Sequence, residues 1–242
     1  DLVIVGRFCG SVSVAAVGAT GAITNLIVNL FIGLSVGTGV TVAHALGSRE
    51  DEAVHNTVHT AVPMALLSGI VLTVVGIAFS ETFLTMMGTP ETVLPLSSLY
   101  MKIYFGGITF TMLYNFCAAI LRAAGDTRSP LIYLTFAGVA NVVLNLIFVT
   151  VFHMNVAGVA LATTISQGIS AILVMMALMK RTDACRLDLK RMRFHRIQLA
   201  KMLRIGLPAG MQSSLFSISN VMIQSSINSF GDVLMSGNAA AG

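Results

Sequence analysis

The sequence predicts an all-α membrane protein, a polytopic helical bundle of about seven membrane segments, and three observations carry that prediction. Of its 242 residues, 55% are hydrophobic and only 10% are charged, less than half the charged share usual in soluble domains. The charges are clustered, with no Asp, Glu, Lys or Arg in residues 8–48, 53–80, 103–121, 129–179 or 205–231. A spanning helix needs about 20 mostly apolar residues, so each gap accommodates a span or nearly so, and the fourth accommodates two.

Residues 1–8 read as the end of a first membrane helix. The opening Asp-Leu-Val-Ile-Val has no basic n-region and no cleavage site, unlike a signal peptide. The second segment, 14–45, exceeds what a bilayer requires and is expected to tilt or project into water. Segments 57–80 and 98–121 follow as single spans. Segments 130–151 and 156–179 are joined only by "FHMNV", so they should be antiparallel neighbours. The last span is 205–229. The chain stops soon after it at "SGNAAAG", which suggests a piece of a longer protein.

Basic residues set the orientation. If the linkers after the second, fourth and sixth segments are cytoplasmic, they hold twelve of the fourteen Lys and Arg and leave Arg7 and Lys102 outside, as the positive-inside rule asks. The net charge of +4 therefore reports topology and does not point to nucleic acid as a partner. Cys9, Cys117 and Cys185 fall in different segments without CxxC spacing, which implies neither a disulfide framework nor a metal site. Residues 182–204, "TDACRLDLKRMRFHRIQLAKMLR", form the one long polar stretch. Apolar positions recur loosely among its basic residues, so it reads either as an amphipathic helix on the inner membrane surface or as a solvated linker.

Polar residues inside the spans mark the candidate site. Asn141 and Asn145 lie one above the other on the 130–151 helix, and Thr163 and Gln167 make the same i,i+4 pair on the next. An unpartnered amide in hydrocarbon costs about 4–8 kcal/mol, so these side chains must face protein or water. Asn25 and Asn29, then Thr111 and Asn115, share faces of their helices; Ser213, Ser217, Asn220, Gln224 and Asn228 run down the last span. One such stripe is explained by interhelical hydrogen bonding. So many are better explained by a shared hydrated cavity. Asp1 precedes an apolar run with no adjacent loop, which places an ionisable group within the membrane and marks a proton or cation site.

Catalytic lookalikes fail on context. "GLSVG", Gly33 to Gly37, has the spacing of a nucleophile elbow but lies mid-helix with no nearby His and Asp; these glycines suit close helix contact. His55 and His59 lack the further ligands a metal site needs. The chain is therefore not read as an enzyme. A weak repeat pairs Gly10 with Gly231 and Phe8 with Phe230, suggesting that residue 205 opens a second copy of the first unit, as repeated transporters do.

The ordered motifs "VGRFCGSVSVAAVGA", "GLSVGTGVTVAHALGS", "AILRAAGDTRSPL", "NVVLNLIFV", "GVALATTISQ" and "IGLPAGMQSSLFSISN" closely resemble the MATE family of multidrug and toxic-compound extrusion transporters. The resemblance covers essentially the whole chain. It implies a fragment of a twelve-helix, two-lobe transporter: residues 1–181 as N-lobe, 182–204 as inter-lobe linker and 205–242 as the start of the C-lobe, whose other helices would be partners. It further implies a multi-pass protein of the inner (plasma) membrane. The expected activity is cation-coupled antiport of organic drug-like compounds by alternating access, with H+ or Na+ as the coupling ion and no cofactor. By motif, Asp1, Asn141, Asn145 and Thr163 fall on the family's N-lobe cation site. Asn145 departs from members that carry Asp there, which favours proton coupling over sodium at this site. Asn25, Asn29, Thr111, Asn115, Gln167, Ser217, Asn220 and Gln224 are the expected substrate-cavity residues. Arg122, Asp126 and Arg128 read as an inner-loop hinge or charge clamp, or as an ordinary positive-inside loop. A lipid-linked-sugar flippase of the same superfamily is the alternative, and it would require basic side chains in the central cavity.

Overall fold

The computed structural model describes residues 2–228, and every element in that range is helical. The order is α1 (Leu2–Phe8), α2 (Ser11–Gly47), α3 (Asp51–Met86), α4 (Leu94–Gly106), α5 (Ile108–Ala123), α6 (Arg128–Leu146) with a π-helical extension (Ile147–Val151), α7 (Asn155–Lys180), a 3-10 turn (Leu189–Arg191) and α8 (Arg196–Asn228). Asp1 and the Phe230–Gly231 partner of the weak repeat lie outside the described residues.

Three helix ends share one local device. Arg49 (φ 56°), Gly88 (φ 68°) and Gly125 (φ 84°) take the left-handed conformation just past α2, α3 and α5. In each case the next amide reaches back five residues to a helix carbonyl: Glu50 to Ala45, Thr89 to Leu84 and Asp126 to Leu121, at 2.9–3.2 Å. These caps satisfy terminal carbonyls and turn the chain back. Asp51 and Glu52 then open α3, where their charges complement the helix dipole.

The helix α5 is the spine of the bundle. It packs against α2, α3 and α7, and Met112, Phe116, Cys117, Ala118 and Ile120 are completely buried. By contrast α6 buries only Pro130, Ala137 and Asn145 along its helical length. Its outward residues Leu131, Ile132, Phe136 and Val139 are all at least 60% exposed, an apolar face suited to lipid or to further helices.

The count of about seven membrane segments needs adjustment. On length and hydropathy α2, α3, α6 with its π turn, and α7 qualify as spans. The expected single span 98–121 is a broken pair, α4 and α5, bent by 46°. The break sits at Gly106-Gly107, where flexible backbone permits a kink. A Cβ on Gly107 would lie 2.2 Å from the Thr164 methyl of α7, so α7 fills the bend. Only seven residues of α1 are described. At 33 residues, α8 is about 50 Å long but too rich in Ser, Asn and Gln to qualify on hydropathy.

The amphipathic helix expected over 182–204 does not form as one element. Residues 181–195 carry only the 3-10 turn, and helix resumes at Arg196, continuous with the final span. The chain here is instead stapled to α3. The Asp188 amide donates to His59 Nε2 at 3.0 Å, the Thr60 hydroxyl donates to the Arg193 carbonyl at 3.3 Å, and the His195 amide donates to Thr60 Oγ1 at 3.2 Å. Those backbone bonds compete with helix.

Candidate functional site

The seam between α6 and α7 holds the polar cluster. Asn145 is completely buried and donates its amide to Asn141 Oδ1 at 3.0 Å. Asn141 in turn donates toward Thr163 Oγ1 at 3.3 Å and Ser166 Oγ at 3.4 Å. The two hydroxyls hold their own helix, Thr163 donating to the Val159 carbonyl at 3.0 Å and Ser166 to the Thr163 carbonyl at 2.9 Å. The i,i+4 spacing of the asparagines and the antiparallel hairpin made by "FHMNV" bring these groups together, and the Asn145 amide finds its acceptor on Asn141.

Two features of this seam were not anticipated. Ser166 joins the cluster; its signal was i,i+3 spacing from Thr163, which shares the helix face. The π turn at Ile147–Val151 begins two residues past Asn145, a local widening that often accompanies functional sites. Nothing in "IFVTV" announces it.

Other expected cavity residues separate onto different helix pairs. Asn29 on α2 donates to Ser217 Oγ on α8 at 3.0 Å, and Ser217 is buried. Asn115 folds back to the Thr111 carbonyl of its own helix at 2.8 Å. Gln167 accepts from Ser170 within α7 at 3.5 Å, Gln224 is buried, and Asn25 and Asn220 are exposed. Asp1 lies outside the described residues.

The α2–α8 seam is made by glycine. A Cβ on Gly33 would lie 2.2 Å from the Gly210 backbone, and one on Gly37 2.3 Å from the Met202 carbonyl. The stretch "GLSVG" is thus a helix contact facing Gly206 and Gly210, a small-xxx-small match on both helices.

In the inner loop Asp126 Oδ1 accepts from the Ser129 amide at 3.0 Å, so the carboxylate caps the start of α6. Hydrogen bonds from Ser129 hold its pKa below the usual carboxylate range. Among the described residues neither Arg122 nor Arg128 forms an ion pair with it; the expected charge clamp is a helix cap instead. The nearby Asp183 is paired with Arg181, Nε to Oδ1 at 3.0 Å. That bond lowers the carboxyl's pKa, with burial opposing it. At the other end of the bundle Lys102 pairs with Glu81 at 2.7 Å.

Polar side chains joined across two apolar helices in this way face protein rather than lipid, and such groups within membrane segments mark candidate functional positions. The sequence profile of the MatE family matches residues 1–147, and the chain belongs to that family. It is 38% identical over 165 residues, 68% of its length, to "Probable multidrug resistance protein YpnP" of Bacillus subtilis (strain 168). It is 30% identical over 237 residues, 95% of its length, to "Probable multidrug resistance protein YoeA" of the same organism. The chain spans 37% and 51% of those two proteins. A solved structure described as the inward-facing conformation of a multidrug resistance MATE family transporter of the MOP superfamily superposes with a TM-score of 0.90 at 25% identity, over 98% of this chain and 55% of its own. The protein is accordingly a multi-pass protein of the cell membrane, and its relatives are transporters, not enzymes.

Proposed function

We propose that this chain is the N-lobe, with the first helix of the C-lobe, of a cation-coupled multidrug antiporter that exports drug-like organic compounds, mostly cationic or amphiphilic, by alternating access. The observation that carries this reading is the α6–α7 seam, where Asn141, Asn145, Thr163 and Ser166 place several amide and hydroxyl groups in one partly buried cluster. Oxygen donors suit a hard cation such as Na+. The amides are neutral, however, and two are already engaged with each other. Charge compensation would therefore rest on Asp1, which favours H+ as the coupling ion. An ion drives export only if ion and drug bind the two states with different affinities, and a cluster spanning two helices could differ between them.

The flippase alternative is not favoured. It would need free basic side chains within the bundle, and Lys102, the lone basic residue inside an expected span, is paired with Glu81. The test uses the full-length transporter in proteoliposomes with a fluorescent cationic dye, under an imposed proton or sodium gradient. Dye uptake driven by one gradient and lost in Asp1→Asn with the protein still inserted supports the reading and names the ion. Absence of gradient-driven transport in folded protein overturns it.

A further inference from the structure

A second site lies away from the seam, where the linker folds against the start of α3. His55, Asn56 and His59 from α3 and Lys190, Arg191, Arg193 and His195 from the linker line a cavity of about 520 Å3. No acidic residue is among them. The nearest carboxylate, Asp188, is turned to Arg191 at 3.5 Å and to the Lys190 amide at 3.0 Å, which leaves Lys190 and Arg193 exposed and without an ion pair among the described residues. His59 is committed to structure: Nδ1 meets the His55 carbonyl at 2.7 Å and Nε2 accepts the Asp188 amide. The cavity is thus built by a fixed backbone and presents three cationic side chains and two further imidazoles.

Its depth identifies the ligand class. The charge-free stretch of α3 begins at Ala53, so His55–His59 stand where that helix enters the bilayer, at headgroup level. The flanking Leu189, Phe194 and Ile197 are 42%, 51% and 71% exposed, apolar groups interleaved with the basic ones as at a lipid interface. We infer that this pocket binds the phosphate headgroup of an anionic phospholipid of the cytoplasmic leaflet. Lys190 and Arg193 make the principal contacts, and His55 and His195 complete the rim. Bound there, the lipid would bridge the linker to α3.

The test measures binding of short-chain phosphatidylglycerol, phosphatidylcholine and inorganic phosphate to the purified full-length transporter by native mass spectrometry and by the shift in thermal unfolding. The wild type should prefer phosphatidylglycerol. Lys190→Gln/Arg193→Gln should weaken that binding by about tenfold or more, given the membrane-surface attraction of each basic residue. Both side chains are exposed and Arg193 holds α3 through its backbone, so the variant keeps its fold, checked by its unfolding temperature without lipid. Lys201→Gln/Arg204→Gln removes the same charge from two residues that line a different cavity and should leave binding within about twofold. Equal loss in both variants would reduce the effect to diffuse attraction and overturn the site. Inorganic phosphate binding as well as the lipid would overturn the lipid assignment.

Discussion

Two seams in this bundle use opposite chemistry. Along α2–α8, glycine lets two backbones touch, with Gly33 and Gly37 facing Gly206 and Gly210. Along α6–α7, bulkier helices meet through amides and hydroxyls. In lipid, helices gain little from burying apolar surface, so association must come from close packing or from hydrogen bonds. The first kind of seam is intolerant of any added atom. The second is tolerant of shape and sensitive to chemistry, which is the property a binding site needs.

Substitutions separate the two. The largest effect is expected from Gly33→Val, whose side chain would enter space already held by Gly210. Overpacking of this kind costs about 1–3 kcal/mol or more, and the full-length protein should lose recoverable folded material in detergent chromatography. Gly21→Ala, whose Cβ would meet open space, should behave as wild type; equal damage from both would deny the seam its special role. Next comes Asn145→Leu, which removes the donor to Asn141. The expected loss is about 0.6–1.7 kcal/mol of stability, read as a modest fall in unfolding temperature, with a much greater loss of gradient-driven dye transport. A variant that transports normally would reduce the cluster to packing.

The smallest effect concerns the linker. Burial pushes the Cys185 thiol up to about 11, so maleimide labelling at neutral pH should run on the order of a hundredfold slower than at an ordinary exposed cysteine, because the thiolate is the nucleophile. Its turn is held by Asp183, whose pKa is lowered by the Arg181 hydrogen bond. A carboxyl lowered on folding stabilises above its unfolded value and loses that contribution as pH falls through the folded one. The turn should therefore be unaffected between pH 5 and 8, and Asp183→Asn should speed labelling of Cys185 severalfold, measured by mass shift against time.

Much of this was legible in residue spacing. The charge-free gaps located the helices because burying charge in lipid is costly, and the paired asparagines announced a polar seam by their i,i+4 register. What escaped was set by neighbours far along the chain. The 46° bend between α4 and α5 depends on Thr164 filling the space beside Gly107, and the unwinding of 181–195 depends on His59 and Thr60 offering partners more than 120 residues away. The bonding partners of the polar residues were likewise not legible. Asn29 and Asn145 look alike in sequence, yet they bond within different helix pairs.

The glycine seam also separates covalent order from spatial order. The basic linker sets α8 apart along the chain, yet in space α8 lies against α2, backbone on backbone. A displacement of α8 would therefore be felt at α2 through direct contact as well as through the linker.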